Sequence, residues 1–536
     1  MPVTAKDCRI LAMGVSLSLG MFSMVGCESR AGETVPDLPV VDVSVGPAFP
    51  LEGHLESSAI AAGEMSFEQV FDAGEALFHT PFNGLDGVGV SRLPDGSTIP
   101  RFSVAPAGGG ARGMISSQSC GECHNMPFAA AAGLASTNRV GDPDSDGLPP
   151  FNTRSTTSLF GDAIVQLLAQ EITGELHSVR DDAAREAAAS PGTPVRRSLT
   201  SKGIDYGTII ATADEAAEVS FDLAGIRGVD PDLVVRPIGW KGDGPIVRGP
   251  VVGASAGLMG MLAEELVWFP PPEREADPDP DPDGDGVIRE LSVGDVTAMT
   301  IYTAGQEVPQ SLERLAELGM VAPPDAETIA EIGRGRAAFE KIGCAVCHMP
   351  ELRLENTVFE EPTLRGNGNY YNQRLAARDP GYDPRRPVRF DVLVDAQPPR
   401  VEAHSDGGAL VRLYGDLKRH DMGRHLADPA GPQPSSTADF EPLEVAGEVV
   451  LIAPTVFLTP ELWGVGNTGP WLHDGRAGTL EEAILLHGED EPPAVGDPGR
   501  SEAQDARDAF VALPVEARKA LVTFLSSLRT FSPEDD

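Results

Sequence analysis

Four of the six cysteines fall into two copies of one five-residue pattern, Cys120-Gly121-Glu122-Cys123-His124 and Cys344-Ala345-Val346-Cys347-His348. Two thiols three positions apart can reach the two vinyl groups of one porphyrin as thioethers. The adjacent imidazole can then bind the iron, which makes C-x-x-C-H the attachment pattern of c-type haem. Three other chemistries compete for the same residues. C-x-x-C is also zinc-ligand spacing, so both pairs could build one four-cysteine site. Exported chains form disulfides, and a thioredoxin-like pair exchanges them. Haem is favoured because histidine follows both pairs and because the chain opens with an export signal, as c-type haem attachment requires. The expectation is two covalently bound c-type haems, with His124 and His348 as iron ligands.

The elements that must carry these motifs recur in order. Ala326 to Lys341 has helical composition, with Ile329, Ile332, Ala337 and Phe339 among charged residues, and leads into Gly343-Cys344. Phe67 to Phe78 has a similar apolar pattern, followed by a longer Gly-rich approach to Cys120. Each half closes on an amphipathic segment, Leu291 to Gln306 and Leu513 to Leu528, with an N-terminal capping or proline signal. Matching order favours a duplicated chain, divided near the Pro-rich stretch from Val321 to Asp325. The expected fold is mainly α, two cytochrome c-like haem domains with long irregular loops.

Lys6 and Arg9 precede an apolar stretch, Ile10 to Gly26, that is too short to span a bilayer comfortably. It ends in Met24-Val25-Gly26-Cys27, which resembles a bacterial lipoprotein signal with Met24 in place of the usual leucine. An ordinary signal peptide or an uncleaved anchor is the competing interpretation. The expected organisation is a lipoprotein signal peptide over 1–26, a flexible tether over 27–65, an N-terminal haem domain over 66–322 and a C-terminal haem domain over 323–536. The protein is then expected outside the cytoplasm, on the periplasmic side of a membrane or at the cell surface, touching the membrane through its lipid alone.

The 536 residues include 41 Lys and Arg against 81 Asp and Glu, a formal net charge of -40. This argues against nucleic acid as a partner, because phosphate backbones require neutralising cations. It suits a basic redox protein as electron donor. Gly at 59 and Pro at 47 point to long connections between elements.

The C-terminal half resembles the bacterial di-haem cytochrome c peroxidase superfamily, and more closely its di-haem oxidoreductase branch, sometimes called thiol oxidoreductases. The residues that carry the resemblance are Leu458-Thr459-Pro460-Glu461-Leu462-Trp463-Gly464-Val465-Gly466, Gly469-Pro470-Trp471-Leu472-His473-Asp474-Gly475-Arg476 and Thr479-Leu480-Glu481-Glu482-Ala483-Ile484. Tyr414-Gly415-Asp416-Leu417 and His420-Asp421-Met422-Gly423 resemble a further branch signature. The likeness runs from about Glu327 to Leu528 and, more weakly, from Phe67 to Gln306.

This resemblance implies a sixth ligand for the second haem. The peroxidases place a methionine on the helix after the H-D-G turn; here that position holds His487, so the resemblance implies a His348/His487 pair and a lower potential. A surface histidine at a helix end is the alternative. Val140 stands where the peroxidases carry a detachable histidine, so the first haem has an open sixth position or recruits His177, His420 or water. Family calcium positions are matched by Asn152, Thr468 and Pro470, and Trp240 in Ile238-Gly239-Trp240-Lys241 matches a branch segment lying near or between the haems, unless it is a core tryptophan.

A second calcium loop is suggested by Asp279, Asp281 and Asp283 with Gly284 and then Glu290, although Gly286 occupies the usual apolar position and a solvated acidic insertion fits equally. Asp142, Asp144 and Asp146 form a weaker version. Three functions follow. The first is a di-haem oxidoreductase that takes electrons at the C-terminal haem and reduces peroxide or another small oxidant at the N-terminal haem. The second is a non-catalytic electron relay, and the third an oxygenase-like enzyme acting on an organic substrate. Trp240 and His420 are the candidate catalytic residues. The missing histidine at 140 favours catalysis, because a pure relay gains from two saturated irons.

Overall fold

The computed structural model describes residues 46–531, apart from 89, 93–97, 101–116, 141–151, 243, 269–279, 282–285, 366–373, 380 and 438–441. Six helices frame the site and are labelled here in chain order: α1 (Phe67–His79), α2 (Asp162–Ala189), α3 (Val293–Ala304), α4 (Ala326–Lys341), α5 (Leu480–Leu485) and α6 (Val515–Ser526).

The starts of these helices are written in the sequence. Ser66 accepts the Gln69 N–H while the Gln69 side chain accepts the Ser66 N–H, and Ser292 and Asp295 build the same reciprocal cap on α3. Asp325 caps α4 by accepting the Thr328 N–H at 2.7 Å. Each helix that leads to a motif packs on the closing helix of its own half. A Cβ on Gly74 of α1 would lie 2.1 Å from the Ala298 carbonyl oxygen of α3, and one on Gly335 of α4 would lie 1.9 Å from that of Ala520 on α6. Only glycine permits backbones to cross this closely. The same glycine-on-alanine crossing in both halves matches the repeated order of the sequence. Gln310–Ser311 and Leu528–Arg529, just past the two closing helices, pair antiparallel.

Pro47–Asp536 forms one compact unit. Its larger core draws Leu77 and Phe78 from α1, Leu168 and Ile172 from α2 and Ile301 from α3, together with Leu352, Phe359, Phe390 and Val411 from beyond the second motif. A smaller core gathers Ile332, Phe339, Tyr414, Phe510, Phe524 and Leu525. At the junction Arg248 is fully buried and pairs with Glu265 and, at 2.8 Å, with Glu361. Its guanidinium also donates to Thr297 Oγ1 and the Val293 carbonyl. A cation at that depth is tolerated only when its donors are satisfied.

The expectation of a mainly α fold is overturned. Helix accounts for 34% and strand for 18%, the strands forming nine two- and three-stranded sheets among the described residues. The Gly- and Pro-rich stretches read as irregular loops instead fold back and pair locally. A larger antiparallel sheet, Val195–Ser201, Ile204–Ala213 and Val219–Asp222, stands apart from those stretches, and its β-branched residues suit a half-buried pleat.

Residues 1–45, including the signal and Cys27, lie outside the described residues. Part of the stretch assigned to the tether is packed on the body. Ala48 and Phe49 donate their N–H groups to Asp86, His54 Nδ1 lies 2.6 Å from Asp295, and Ser57–Ala62 is helical. Among the described residues no helix is long and apolar enough to cross a membrane.

Candidate functional site

α4 ends at Ile342, Gly343 turns the chain at φ 95°, and Cys344–Val346 make a single 3-10 turn that delivers Cys347 and His348. His348 Nδ1 lies 3.0 Å from the Tyr414 carbonyl oxygen, so it is the protonated nitrogen, and Nε2 is left as a bare lone pair. His487, just past α5, repeats the arrangement. Its Nδ1 meets the Ala483 carbonyl at 2.8 Å, and Ser501 donates to its own carbonyl at 2.6 Å. The two imidazoles are neighbours, with ring centroids 6.4 Å apart and planes inclined at 56°. Burial, reinforced by its neighbour His487, brings His348 down to about 4, and burial also lowers His487. Both are therefore neutral donors near pH 7.

Cys344, Cys347, His348 and His487 share a cavity of about 520 Å³ with apolar walls that include Phe339, Leu462 and Leu525. This lies within the roughly 300–1,000 Å³ of cofactor sites. Two neighbouring nitrogen donors, two thiols at its edge and an apolar chamber fit a haem.

The first motif is a short helix, Cys120–Cys123. His124 follows it, with Nδ1 3.3 Å from the Ala131 carbonyl and a backbone group of Thr157 as second partner, and burial brings it down to about 4. Cys120 Sγ lies 3.6 Å from Met259 Sδ. Ala132 and Thr157, the neighbours of His124, border the cavity that holds the second motif.

Cys120, Cys123, Cys344 and Cys347 form no disulfide among the described residues. Burial pushes Cys120 and Cys344 up to about 12, opposite to the lowered pKa of exchange-active thiols. Among the described residues the one group of three or more metal-type donors is Cys347, Asp416 and His420, so the two pairs do not combine into a four-cysteine zinc site.

Trp240 borders the cavity, donates Nε1 to the Ser155 carbonyl at 2.8 Å and meets His473 edge-on at 6.5 Å. His473 stacks on Phe457 at 4.2 Å, and Lys241 Nζ lies 3.7 Å from the centre of the Phe457 ring. His420 sits at the second motif. Asp416 at 3.0 Å and Glu502 at 2.7 Å take its two nitrogens, with Cys347 Sγ at 3.9 Å. Burial opposes its charge, but the hydrogen bonds to Asp416, Cys347 and Glu502 raise it to about 11. An imidazolium flanked in this way has no lone pair for iron. His177 is engaged with the Asp232 carbonyl at 2.8 Å.

The calcium candidates are dispersed in their bonding. Thr468 and Pro470 border the cavity, with Thr468 donating to the Gly464 carbonyl, whereas Asn152 Oδ1 accepts the Ala430 N–H. Asp279 and Asp283 lie outside the described residues, as do Asp142, Asp144 and Asp146. Asp281 accepts the Gly286 N–H, and the buried Glu290 accepts that of Leu262.

Sequence reasoning missed Asp162 and Glu461, two carboxyl groups on the cavity wall. The available signal was an acid inside the otherwise apolar Leu458–Gly466 segment.

Cys344, Cys347, His348 and His487 line one chamber, which Ala132 and Thr157 beside the first C-x-x-C-H segment also border, a lining suited to haem redox chemistry. Residues 407–528 match the model of the family described as "Di-haem oxidoreductase, putative peroxidase". No curated protein matches the chain. Among solved structures, hydrazine synthase of Kuenenia stuttgartiensis matches at 13% identity and a TM-score of 0.28, over 94% of this chain and 100% of its own. A MauG-like protein associated with microbial copper homeostasis matches at 16% identity and a TM-score of 0.27, over 59% of this chain and 78% of its own. At such TM-scores neither likeness bears on the site.

Proposed function

We propose that the chain is an exported di-haem c-type oxidoreductase. In this reading electrons arrive at the C-terminal centre, held by Cys344, Cys347, His348 and His487, and peroxide or a similar small oxidant is reduced at the N-terminal centre, held by Cys120, Cys123 and His124. Bound haem supplies the redox-active iron at each centre. The chain's own residues attach it, present neutral imidazole nitrogens and keep water from the apolar walls. The observation that carries this reading is the His348/His487 pair, each Nδ1 tied to a backbone carbonyl, in a cavity that runs from the second motif to the neighbours of His124. The difference between the centres supports the direction of flow. The second has a histidine beside its ligand, whereas His177 and His420, the two named candidates for the first, are both engaged elsewhere.

A lipid at Cys27 would hold the protein on the periplasmic side of a membrane. The acidic surface would favour a basic redox protein as donor, and calcium would bind at the carbonyls of Thr468 and Pro470. The test is a pyridine haemochrome assay with carbon monoxide titration of the mature protein. Two haems per chain and one carbon monoxide-binding centre are expected. Fewer than two haems would refute the attachment, and two low-spin centres inert to carbon monoxide in both redox states would leave an electron relay.

A further inference from the structure

The two halves build the same turn twice. Ile238 bridges Gly244, and Trp471 bridges Ala477. In each turn the second residue takes a positive φ, 80° at Gly239 and 72° at Leu472, and so does the fifth, 68° at Gly242 and 70° at Gly475. The N–H of that fifth residue bonds the carbonyl of the second at 3.1 Å in both. A short helix follows, Arg248–Ala254 in the first half and Leu480–Leu485 in the second. The second helix stops, and His487 stands just beyond its end. The first continues through Ser255–Met259 as one π turn, closed by the Met261 N–H on the Ser255 carbonyl at 2.9 Å and ended by Gly260 at φ 74°. Single π turns of this kind gather at functional sites.

The residue that the extension delivers is Met259. It is buried, and its Sδ lies 3.6 Å from Cys120 Sγ, the first thiol of the N-terminal motif. His124 of that motif turns its Nδ1 to the Ala131 carbonyl, which leaves Nε2 as the donor on one side of a metal. Histidine does not supply the other side from His177 or His420, which are engaged elsewhere. His79 borders the motif, but its Nε2 lies 3.2 Å from the Tyr302 hydroxyl, and a Cβ on Gly121 would lie 2.7 Å from its Nδ1. We propose that Met259 is the sixth ligand of the N-terminal haem iron, the counterpart of His487. This rests on the di-haem reading above. A thioether paired with histidine raises the potential of haem iron above that of a two-histidine centre. The unequal ligands therefore set the direction of transfer: the electron lost by the His348/His487 centre is gained by the His124/Met259 centre, with no bond or proton exchanged. An oxidant reaches the first iron by displacing the Met259 sulfur, which the flexible side chain lets swing clear. The same residue thus keeps that iron closed at rest.

The experiment uses the mature full-length protein with both haems. Iron–methionine bonding gives ferric haem a near-infrared charge-transfer band that a two-histidine centre lacks, so the band reports the first centre alone. The native protein should show it. Met259→Leu, which nearly keeps the volume, should lose the band, turn the first centre high-spin in electron paramagnetic resonance and leave the low-spin signal of the second unchanged. Met259→His should stay low-spin, lose the band and lower the potential of the first centre in a redox titration. Met261→Leu, equally buried two residues on, should keep the band. A native protein without the band, or a band that survives in Met259→Leu, overturns the ligand, while two haems per chain would still uphold the di-haem reading. Fewer than two haems per chain removes that reading and the ligand together. A band lost in Met259→Leu, from a native protein that turns over no peroxide, upholds the ligand and removes the peroxidase role.

Discussion

The imidazoles of His348 and His487 stand 6.4 Å apart between centroids, each held by its Nδ1 on a backbone carbonyl. Neither ring can turn its Nε2 away without leaving a buried N–H unpaired, at about 1–3 kcal/mol. Replacing His487 with alanine should leave the second centre five-coordinate and high-spin, while Glu482 and Thr479 still cap α5. Optical and electron paramagnetic resonance spectra of the reconstituted variant check this; an unchanged low-spin signal removes His487 as a ligand.

His420 gives a pH prediction whose sign follows from its position between Asp416 and Glu502. Its pKa is raised to about 11 in the folded chain, against roughly 6.5 unfolded. The folded state therefore binds the extra proton between these values. Its contribution is fully present below pH 6.5 and is lost as pH rises toward 11. The melting temperature of the native protein should fall across this window, and that of His420→Gln should fall less. Parallel slopes in calorimetry would show that the ring is not held as an imidazolium.

Asp428 is the shared anion of a buried cluster. Arg154 donates to it twice at 2.7 Å and Lys241 Nζ lies 3.0 Å away. Burial would raise its carboxyl, yet Arg154 and Lys241 hold it below the usual range. Asp428→Asn leaves two cations facing each other beside Trp240, and the loss should be roughly 3–5 kcal/mol, read as a lower midpoint in urea at unchanged m-value. Because the folded pKa is depressed, the native protein should also lose this contribution as pH falls below about 4, and the variant should not.

What the sequence disclosed and what it concealed have separate physical causes. Covalent attachment needs contiguous residues, so Cys120 to His124 and Cys344 to His348 were legible at once, and His487 was legible through a fixed spacing from the H-D-G turn. The capped helices α1, α3 and α4 were legible because their apolar period is long. The mainly α expectation failed in part because most strands have only two to four residues, such as Gln310–Ser311, and carry no readable period. Asp162 and Glu461 stand far apart in sequence and come to one cavity wall where Gly161 packs on Trp463.

The paired helix crossings supply a test of the duplication that no motif supplies. Gly74 and Gly335 occupy equivalent places, under Ala298 and Ala520, and a methyl group at either would fall within 2.1 Å of a carbonyl oxygen. That oxygen belongs to a helix backbone and cannot swing aside as a side chain would, so the helices must separate. Gly74→Ala and Gly335→Ala should each cost about 1–3 kcal/mol, the range for overpacking, despite the higher helix propensity of alanine. Gly174, on the same kind of helix with nothing within 4 Å of its added Cβ, is the control. There the change to alanine should stabilise by up to about 1 kcal/mol. Thermal unfolding of the three variants separates the effects. A destabilisation confined to one half would mean that the two crossings, though alike in geometry, do not do the same work in positioning the motif that follows.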